Sequence, residues 1–224
     1  MDEHKYILNS FAQEAEDLIL YRIFGEKKNG FFIDIGAYHP IKYSNTYFFY
    51  KKGWRGINID AMPNSMELFN KYRPNDINIE AFISSEEKSV NYHIFNEPAL
   101  NNGCELLSKK RHDAPNQFKL IDKKVIQTKR LDKILNDNIK ENQEIDFLSI
   151  DIEGEEFEAL ISNNWNKYLP KVILVEFLES TLESIIDDKI SKFLKEKGYI
   201  IFAKSFNTVF YMTNDFFKHR MGIK

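Results

Sequence analysis

Short apolar runs alternate with helical stretches along most of this chain, and this alternation restricts its fold more than any other feature. The runs span residues 31–35, 56–60, 77–83, 146–151 and 171–176. Their β-branched residues point to both faces, which is typical of strands covered on both sides. Predicted helices lie before and between the runs, over residues 11–23, 44–52, 63–73, 157–165 and 182–197. This order predicts an α/β fold with a mostly parallel sheet and helices on both faces.

The end of the chain departs from the alternation. Two further strand-like runs, residues 199–203 and 209–212, are separated by residues 204–208 alone. A connection this short cannot cross over the sheet, so the two runs must pair antiparallel. The sequence therefore predicts a parallel sheet that ends with an antiparallel C-terminal strand.

Residues 84–130 fit the alternating pattern poorly. Strands are predicted over residues 90–95 and 125–127, with a polar excursion between them. We interpret the stretch as an insertion or lid over the site, within a single domain of residues 1–224.

Composition excludes several classes of function. The chain has 224 residues and a net charge of −3, which gives no general polycation for nucleic acid or an anionic membrane. Cys104 is the one cysteine, so no intrachain disulfide forms. Residues 1–5 show no secretion signal, and no apolar run is long enough to span a membrane. These features predict a cytoplasmic protein without a nucleic-acid partner. They are compatible with a monomer and with a homo-oligomer.

Acidic residues follow the predicted strands at the ends where α/β proteins bind ligands. They are Asp34, Asp60, Asp151, Glu153 and Glu176. Each one alone is explained by a helix cap or a loop contact. Because buried carboxylates are costly when unpaired, the whole set at one sheet edge indicates a binding site.

The second strand ends at Asp60, where nucleotide-binding α/β proteins place a carboxylate on the ribose hydroxyls. The first loop has Gly36 but lacks the G-x-G-x-x-G fingerprint, which disfavours a dinucleotide. An adenosine ligand without phosphates fits better. S-adenosylmethionine is such a ligand, and its positive charges suit acids such as Asp34 and Asp151.

Several blocks in order resemble one known family. Residues 32–40, 44–46 and 53–60 read FIDIGAYHP, SNT and GWRGINID. They resemble the opening of the FkbM family of S-adenosylmethionine-dependent methyltransferases. Gln13, Glu16 and Asp17 resemble an upstream block of that family, with Ala15 in place of its usual glycine. Residues 131–132 and 150–156 resemble its later blocks.

The resemblance implies a class I methyltransferase sheet and methyl transfer to a hydroxyl of a sugar or other small molecule. A nucleotide sugar or glycan, as a precursor of surface polysaccharide, is the acceptor we expect. The cofactor-binding residues that the resemblance implies are Gln13, Asp34, Gly36, Ala37, Tyr38, Asn45, Asp60, Ala61, Phe82 and Ile83. Among them Asp60 is expected on the ribose diol and Phe82 beside the adenine. Asn45 either binds the ligand carboxylate or caps a helix beside Ser44.

Two mechanisms could activate the acceptor hydroxyl. One is a general base, for which Asp151, His39 and Glu153 are the catalytic candidates. The other is Mg²⁺ or Mn²⁺ held by Asp151, Glu153 and Glu176, which we favour because crowded carboxylates need a cation. His39 alternatively bonds only to its own loop.

Residues 109–111 read Lys-Lys-Arg. This run is either a solvated face or a clamp for the phosphates of a nucleotide sugar. Two other functions are considered for the whole chain: a nicotinamide-dependent oxidoreductase, and a non-catalytic module that binds S-adenosylmethionine.

Overall fold

The computed structural model describes residues 8–25 and 27–223. Residues 1–5, on which the expectation of no secretion signal rests, lie outside the described residues. The strands are β1 (Phe31–Ile35), β2 (Arg55–Asp60), β3 (Ile77–Glu80), β4 (Phe82–Ile83), β5 (Ser89–Phe95), β6 (Leu120–Lys129), β7 (Phe147–Ile150), β8 (Val172–Glu176), β9 (Tyr199–Lys204) and β10 (Thr208–Thr213). The helices are α1 (Glu16–Phe24), α2 (Tyr47–Lys51), α3 (Ser65–Tyr72), α4 (Glu105–Asp113), α5 (Leu131–Asn138), α6 (Glu156–Ile161), α7 (Leu182–Asp187), α8 (Lys189–Glu196) and α9 (Asn214–Met221).

The central sheet of the described chain has seven strands in the order β3-β2-β1-β7-β8-β10-β9. Strands β3, β2, β1, β7 and β8 are parallel, and β10 runs antiparallel to both β8 and β9. The mostly parallel sheet with an antiparallel C-terminal strand is therefore confirmed. The last strand lies inside the sheet, with β9 at the edge.

Two apolar layers cover the two faces of this sheet. Buried side chains of α5, α6 and α8 pack on one face, around Ile33, Leu148 and Ile173. Helices α1, α2 and α9 pack on the other face, where Phe32, Phe147 and other aromatic rings predominate. Helices on both faces are confirmed, and burial on both sides explains why the strand sequences are apolar throughout.

The prediction of a single strand over residues 77–83 is wrong, because the structure has two strands there, β3 and β4. β3 pairs with β2, whereas β4 pairs with β6 in a separate three-stranded sheet of order β4-β6-β5. The division occurs because β2 ends at Asp60, whose carbonyl accepts the N–H of Ala81 at 2.9 Å. Beyond that point β2 offers no further partner. The predicted strands at 90–95 and 125–127 belong to β5 and β6, and β6 is much longer than predicted.

Several predicted helix bounds are also corrected. The first helix begins at Glu16 instead of residue 11, and the fourth ends at Ile161 instead of residue 165. The helix predicted from Ser44 begins at Tyr47, whose N–H is accepted by Ser44 Oγ at 3.1 Å. The last predicted helix is two helices, because Asp188 leaves helical geometry and its carboxylate caps α8 through the N–H of Ile190.

Candidate active site

Two cavities open at the carboxyl ends of the parallel strands, and Asp151 lines both of them. The larger cavity has a volume of about 490 Å³ and lies between the ends of β1, β2 and β7 and the segment that contains the second sheet. The smaller cavity has a volume of about 360 Å³ and lies beside the segment before α1 and the ends of β7 and β8. The strand register brings the predicted acidic residues to this one edge.

Most of the predicted site residues line these cavities. The larger cavity contains Gly36, Tyr38, Asp60, Ala61, Phe82, Ile83, Asp151 and Glu153. The smaller cavity contains Gln13, Asn45, Asp151 and Glu176. Asp34, Ala37 and His39 are not among the described residues that line either cavity. The oxygen that accepts the N–H of Tyr47 at the start of α2 is Ser44 Oγ and not Asn45, whose amide nitrogen donates to Ser149 Oγ at 3.0 Å.

Gly36 allows the end of β1 to approach the end of β7 closely. Its φ is +81°, and a Cβ added there would lie 1.7 Å from the carbonyl oxygen of Asp151. The N–H of Asp151 in turn donates to the carbonyl of Ile35 at 3.0 Å. No larger residue fits this turn without displacing the Asp151 backbone.

Asp60 is held in a fixed orientation at the end of β2. Its Oδ2 accepts the N–H of Tyr38 and its Oδ1 accepts the N–H of Met62, each at 2.8 Å. Burial nevertheless raises the pKa of this carboxyl above its ordinary value. Each carboxylate oxygen keeps acceptor capacity beyond these bonds, so the group is suited to receive a vicinal diol.

Asp34 lies at the end of a buried chain of polar groups. Thr46 Oγ1 donates to Asp34 Oδ2 at 2.9 Å, and Arg73 Nη1 donates to Thr46 Oγ1 at 2.9 Å. Arg73 also pairs with Asp76, and both of these side chains are fully buried. Burial raises the pKa of Asp34 to about 6, although the charge of Arg73 and the bond from Thr46 oppose this. The direct contact of Asp34 with the ligand that the sequence predicted stays a prediction.

Replacing Asp34 with asparagine is expected to stabilise the fold near neutral pH. The pKa of Asp34 shifts from 3.8 to about 6, so ionising this buried carboxyl group above pH 6 costs at most about 3 kcal/mol of stability. Between these two pH values the folded state binds more protons than the unfolded state, so wild-type stability falls as pH rises through this window. Asparagine resembles the protonated group and keeps an oxygen that accepts from Thr46.

Urea unfolding at several pH values measures this effect. We expect Asp34→Asn to raise the free energy of unfolding by about 1–3 kcal/mol at about pH 7.5, and the gain to vanish below about pH 4. The control is Asp137→Asn on the exposed side of α5, which should change little at either pH. A loss of stability of similar size at both pH values would contradict the expectation.

Three carboxyl groups meet where the two cavities join. Oxygens of Asp151, Glu153 and Glu176 all lie within 4.8 Å of one another. Asp151 is accessible from the cleft, but the surrounding protein and the charge of Glu176 raise its pKa well above the ordinary value. Burial and the charge of Glu153 also raise the pKa of Glu176. Repulsion between the groups therefore favours one proton on the Asp151–Glu176 pair.

Arg111 of α4 forms an ion pair with Glu153. The same guanidinium donates to the carbonyl of Leu100 at 3.1 Å. A protein cation thus offsets part of the charge for which we invoked a metal. The run of residues 109–111 does not present three free cations, because Arg111 is engaged and Lys109 and Lys110 are exposed.

His39 forms hydrogen bonds within its own loop, which is the second of the two roles considered for it above. Its Nδ1 accepts the N–H groups of Ile41 at 3.0 Å and Lys42 at 2.9 Å. Burial and the charge of Lys42 lower the pKa of the imidazole. This geometry fits a residue that shapes the loop between Tyr38 and Tyr43 better than it fits a base at the cleft.

Sequence reasoning missed several lining residues. Strand β5 and the segment between β5 and α4 contribute Tyr92, Asn101 and Asn102 to the larger cavity. Ser149 and Thr208 line the smaller cavity. Ser149 could have been found, because it is a polar residue next to the last position of the buried strand β7. No local pattern marked Asn101 or Tyr92.

An open, mostly parallel sheet with an antiparallel C-terminal strand, a cleft at the carboxyl strand ends and no glycine-rich phosphate loop is the architecture expected of a class I methyltransferase. The chain matches the family model described as the methyltransferase FkbM domain over residues 34–201, more than half of its length. This protein therefore belongs to the FkbM methyltransferase family, and it is a methyltransferase. No curated protein matches it in sequence.

Among solved structures, the chain is similar to precorrin-6y C5,15-methyltransferase from Geobacter metallireducens. The two are 13% identical, with a TM-score of 0.43, over 91% of this chain and 89% of that one. None of the helices in residues 8–25 and 27–223 combines the length and apolar character needed to cross a bilayer.

Proposed function

We propose that this protein transfers a methyl group from S-adenosylmethionine to a hydroxyl oxygen of a sugar, either in a nucleotide sugar or in a glycan precursor. The observation that carries the proposal is the pair of cavities joined at Asp151, which are lined by carboxylates and by no lysine, arginine or histidine of the described chain. A cleft of this charge suits a cationic cofactor and an uncharged hydroxyl group.

The lining residues fit S-adenosylmethionine, which supplies a methyl group on a positively charged sulfur. Asp60 would receive the ribose diol, and Phe82 and Ile83 would cover the adenine in the larger cavity. In the smaller cavity the amides of Gln13 and Asn45 would hold the carboxylate of the amino-acid part. Glu16, Asp151 and Glu176 provide negative charge for its ammonium group.

Asp151 is the group we propose to take the proton from the acceptor hydroxyl. It lines both cavities, and the positive charge of the bound cofactor would favour its ionised form, which is the form that accepts a proton. Glu176 shares the charge of the pair, and Arg111 holds Glu153 beside them. Most of the rate enhancement would come from positioning the oxygen in line with the methyl group.

The acidic lining also limits the acceptor. Phosphates of a nucleotide sugar would be repelled from the cleft itself, so they would have to lie outside it, with only the sugar hydroxyl inside. Of the predicted clamp for such phosphates, Lys109 and Lys110 are exposed, whereas Arg111 pairs with Glu153. A net charge of −3 and the single Cys104 favour a reaction in the cytoplasm without a nucleic-acid partner.

A divalent cation is the second candidate for activating the hydroxyl. Asp151, Glu153 and Glu176 would hold Mg²⁺ or Mn²⁺ through oxygens within 4.8 Å of one another, and the ion would lower the pKa of the hydroxyl. Since Arg111 already pairs with Glu153, we expect activity to survive dialysis against a chelator. Loss of activity that Mg²⁺ or Mn²⁺ restores would establish the metal route instead.

Binding and turnover measurements test the proposed function. Calorimetry with S-adenosylmethionine, S-adenosylhomocysteine, NAD and NADP should show binding of the first two alone. A screen of nucleotide sugars and free glycans, read by mass spectrometry, should then show a product heavier by one methylene group. Binding of NAD or NADP would favour the oxidoreductase, and cofactor binding without any methylated product would favour the non-catalytic module.

A further inference from the structure

Asn101 carries a buried hydrogen-bond donor that the protein itself does not use. The residue lines the larger cavity and is 8% exposed. Its Nδ2 has no hydrogen-bond partner among the described residues. The amide interacts with the nearby hydroxyl of Tyr92, but no acceptor lies within hydrogen-bond distance of Nδ2 in the described chain. Because an unpaired buried donor lowers stability, this one calls for a ligand acceptor or another specific explanation.

The orientation of the Asn101 amide is set by the backbone. Its Oδ1 accepts the N–H of Phe95 at 2.8 Å. An N–H group can be satisfied only by an oxygen at that position, so exchanging the amide oxygen and nitrogen would leave two donors facing each other. Nδ2 is therefore the atom that Asn101 offers to a ligand in the cavity.

Several hydrogen bonds hold the loop around Asn101. The N–H of His93 donates to the carbonyl of Asn102 at 2.8 Å, and the N–H of Asn102 donates back at 3.2 Å. Asn102 Oδ1 accepts from the N–H of Cys104 and from Ser108 Oγ, both at 2.9 Å. Because the neighbouring Asn102 is fixed in this way and Asn101 Oδ1 bonds to Phe95, the donor needs little reorganisation when a ligand arrives, which favours selective recognition.

We propose that Asn101 recognises the base of the cofactor by donating a hydrogen bond from Nδ2 to a ring nitrogen of the adenine. This inference rests on the proposed use of S-adenosylmethionine. Ala61, Phe82 and Ile83 in the same cavity provide apolar surfaces for a flat ring, and Asp60 marks the ribose end. The ring nitrogens N1, N3 and N7 are acceptors, whereas the exocyclic amine is a donor. Asn101 would thus make the segment that contains the second sheet part of the cofactor site.

Calorimetry with modified cofactors tests this assignment. The ligands are S-adenosylhomocysteine and its 1-deaza, 3-deaza and 7-deaza analogues, each with CH in place of one ring nitrogen. We expect one analogue to bind the wild-type protein about 5- to 10-fold more weakly than S-adenosylhomocysteine, the usual effect of one hydrogen bond. The same analogue should lose no affinity relative to S-adenosylhomocysteine in Asn101→Ala.

Two further variants keep the test decisive. Asn101→Asp retains an oxygen for the N–H of Phe95 but presents no donor, so it should bind S-adenosylhomocysteine more weakly than wild type even if Asn101→Ala folds poorly. The control Asn91→Ala, on an exposed part of β5, should keep the wild-type preference among all four ligands. Equal effects of every deaza substitution in wild type and in both Asn101 variants would overturn the inference while leaving cofactor binding intact. Failure of the wild type to bind S-adenosylhomocysteine would instead overturn the proposed function, and this inference with it.

Discussion

Replacing Gly36 with alanine is expected to reduce the affinity for S-adenosylhomocysteine by at least about 100-fold, because the added methyl group must displace the backbone at the junction of the two cavities. The new Cβ would lie 1.7 Å from the carbonyl oxygen of Asp151 and 2.7 Å from its carbonyl carbon. Backbone atoms cannot rotate away as a flexible side chain does. Relief therefore requires the end of β1 and the end of β7 to separate, which moves Asp151 itself.

Gly198 provides a matched control for this prediction. Its φ is +87°, close to the +81° of Gly36, but a Cβ added there meets no atom within 4 Å. Gly198→Ala should therefore show the cost of the left-handed conformation, about 1 kcal/mol of stability, without any effect on cofactor affinity. Calorimetry and urea unfolding of both variants separate strain from collision. Wild-type affinity in Gly36→Ala would show that the cofactor does not depend on this junction.

The location of the candidate site could be predicted from the sequence because it depends on the periodicity of the apolar residues. Alternating strands and helices determine that the carboxyl strand ends share one edge, so residues such as Asp60 and Asp151 had to lie there. The antiparallel pairing of β9 with β10 followed from the shortness of the loop between them. Both inferences need only local spacing and the limited set of topologies that such spacing permits.

The remaining features depend on contacts between distant segments. Arg111 and Glu153 are 42 positions apart, and nothing local to either residue indicates their pairing. The division between β3 and β4 likewise depends on where β2 ends and on the distant partner β6. The unused donor of Asn101 is visible only once its oxygen is known to bond to Phe95. Such pairings are set by packing, so the pattern that predicted the edge could not predict them.

Replacing Asp151 with asparagine is expected to reduce kcat by about 100- to 10,000-fold, the range typical of a lost general base. The amide is nearly the same size as the carboxyl group but accepts no proton from a hydroxyl. Because the change removes an interaction made mainly in the transition state, kcat and kcat/KM should fall together. The affinity for S-adenosylhomocysteine should fall less than kcat, since Glu16 and Glu176 still provide negative charge for its ammonium group.

Kinetic analysis of three variants distinguishes this role from a general electrostatic effect. Asp187→Asn, at a side chain that is 86% exposed, makes the same chemical change far from shared carboxyl groups and should leave kcat unchanged. Glu176→Gln removes the neighbouring charge but keeps Asp151, so its loss in kcat should be the smaller one. If Asp151→Asn kept most of its kcat, proton removal by this carboxyl would be excluded, and positioning would have to account for the reaction. Among the described residues only Asp151 lines both cavities, so that result would also place methyl transfer away from the acidic cluster at this position.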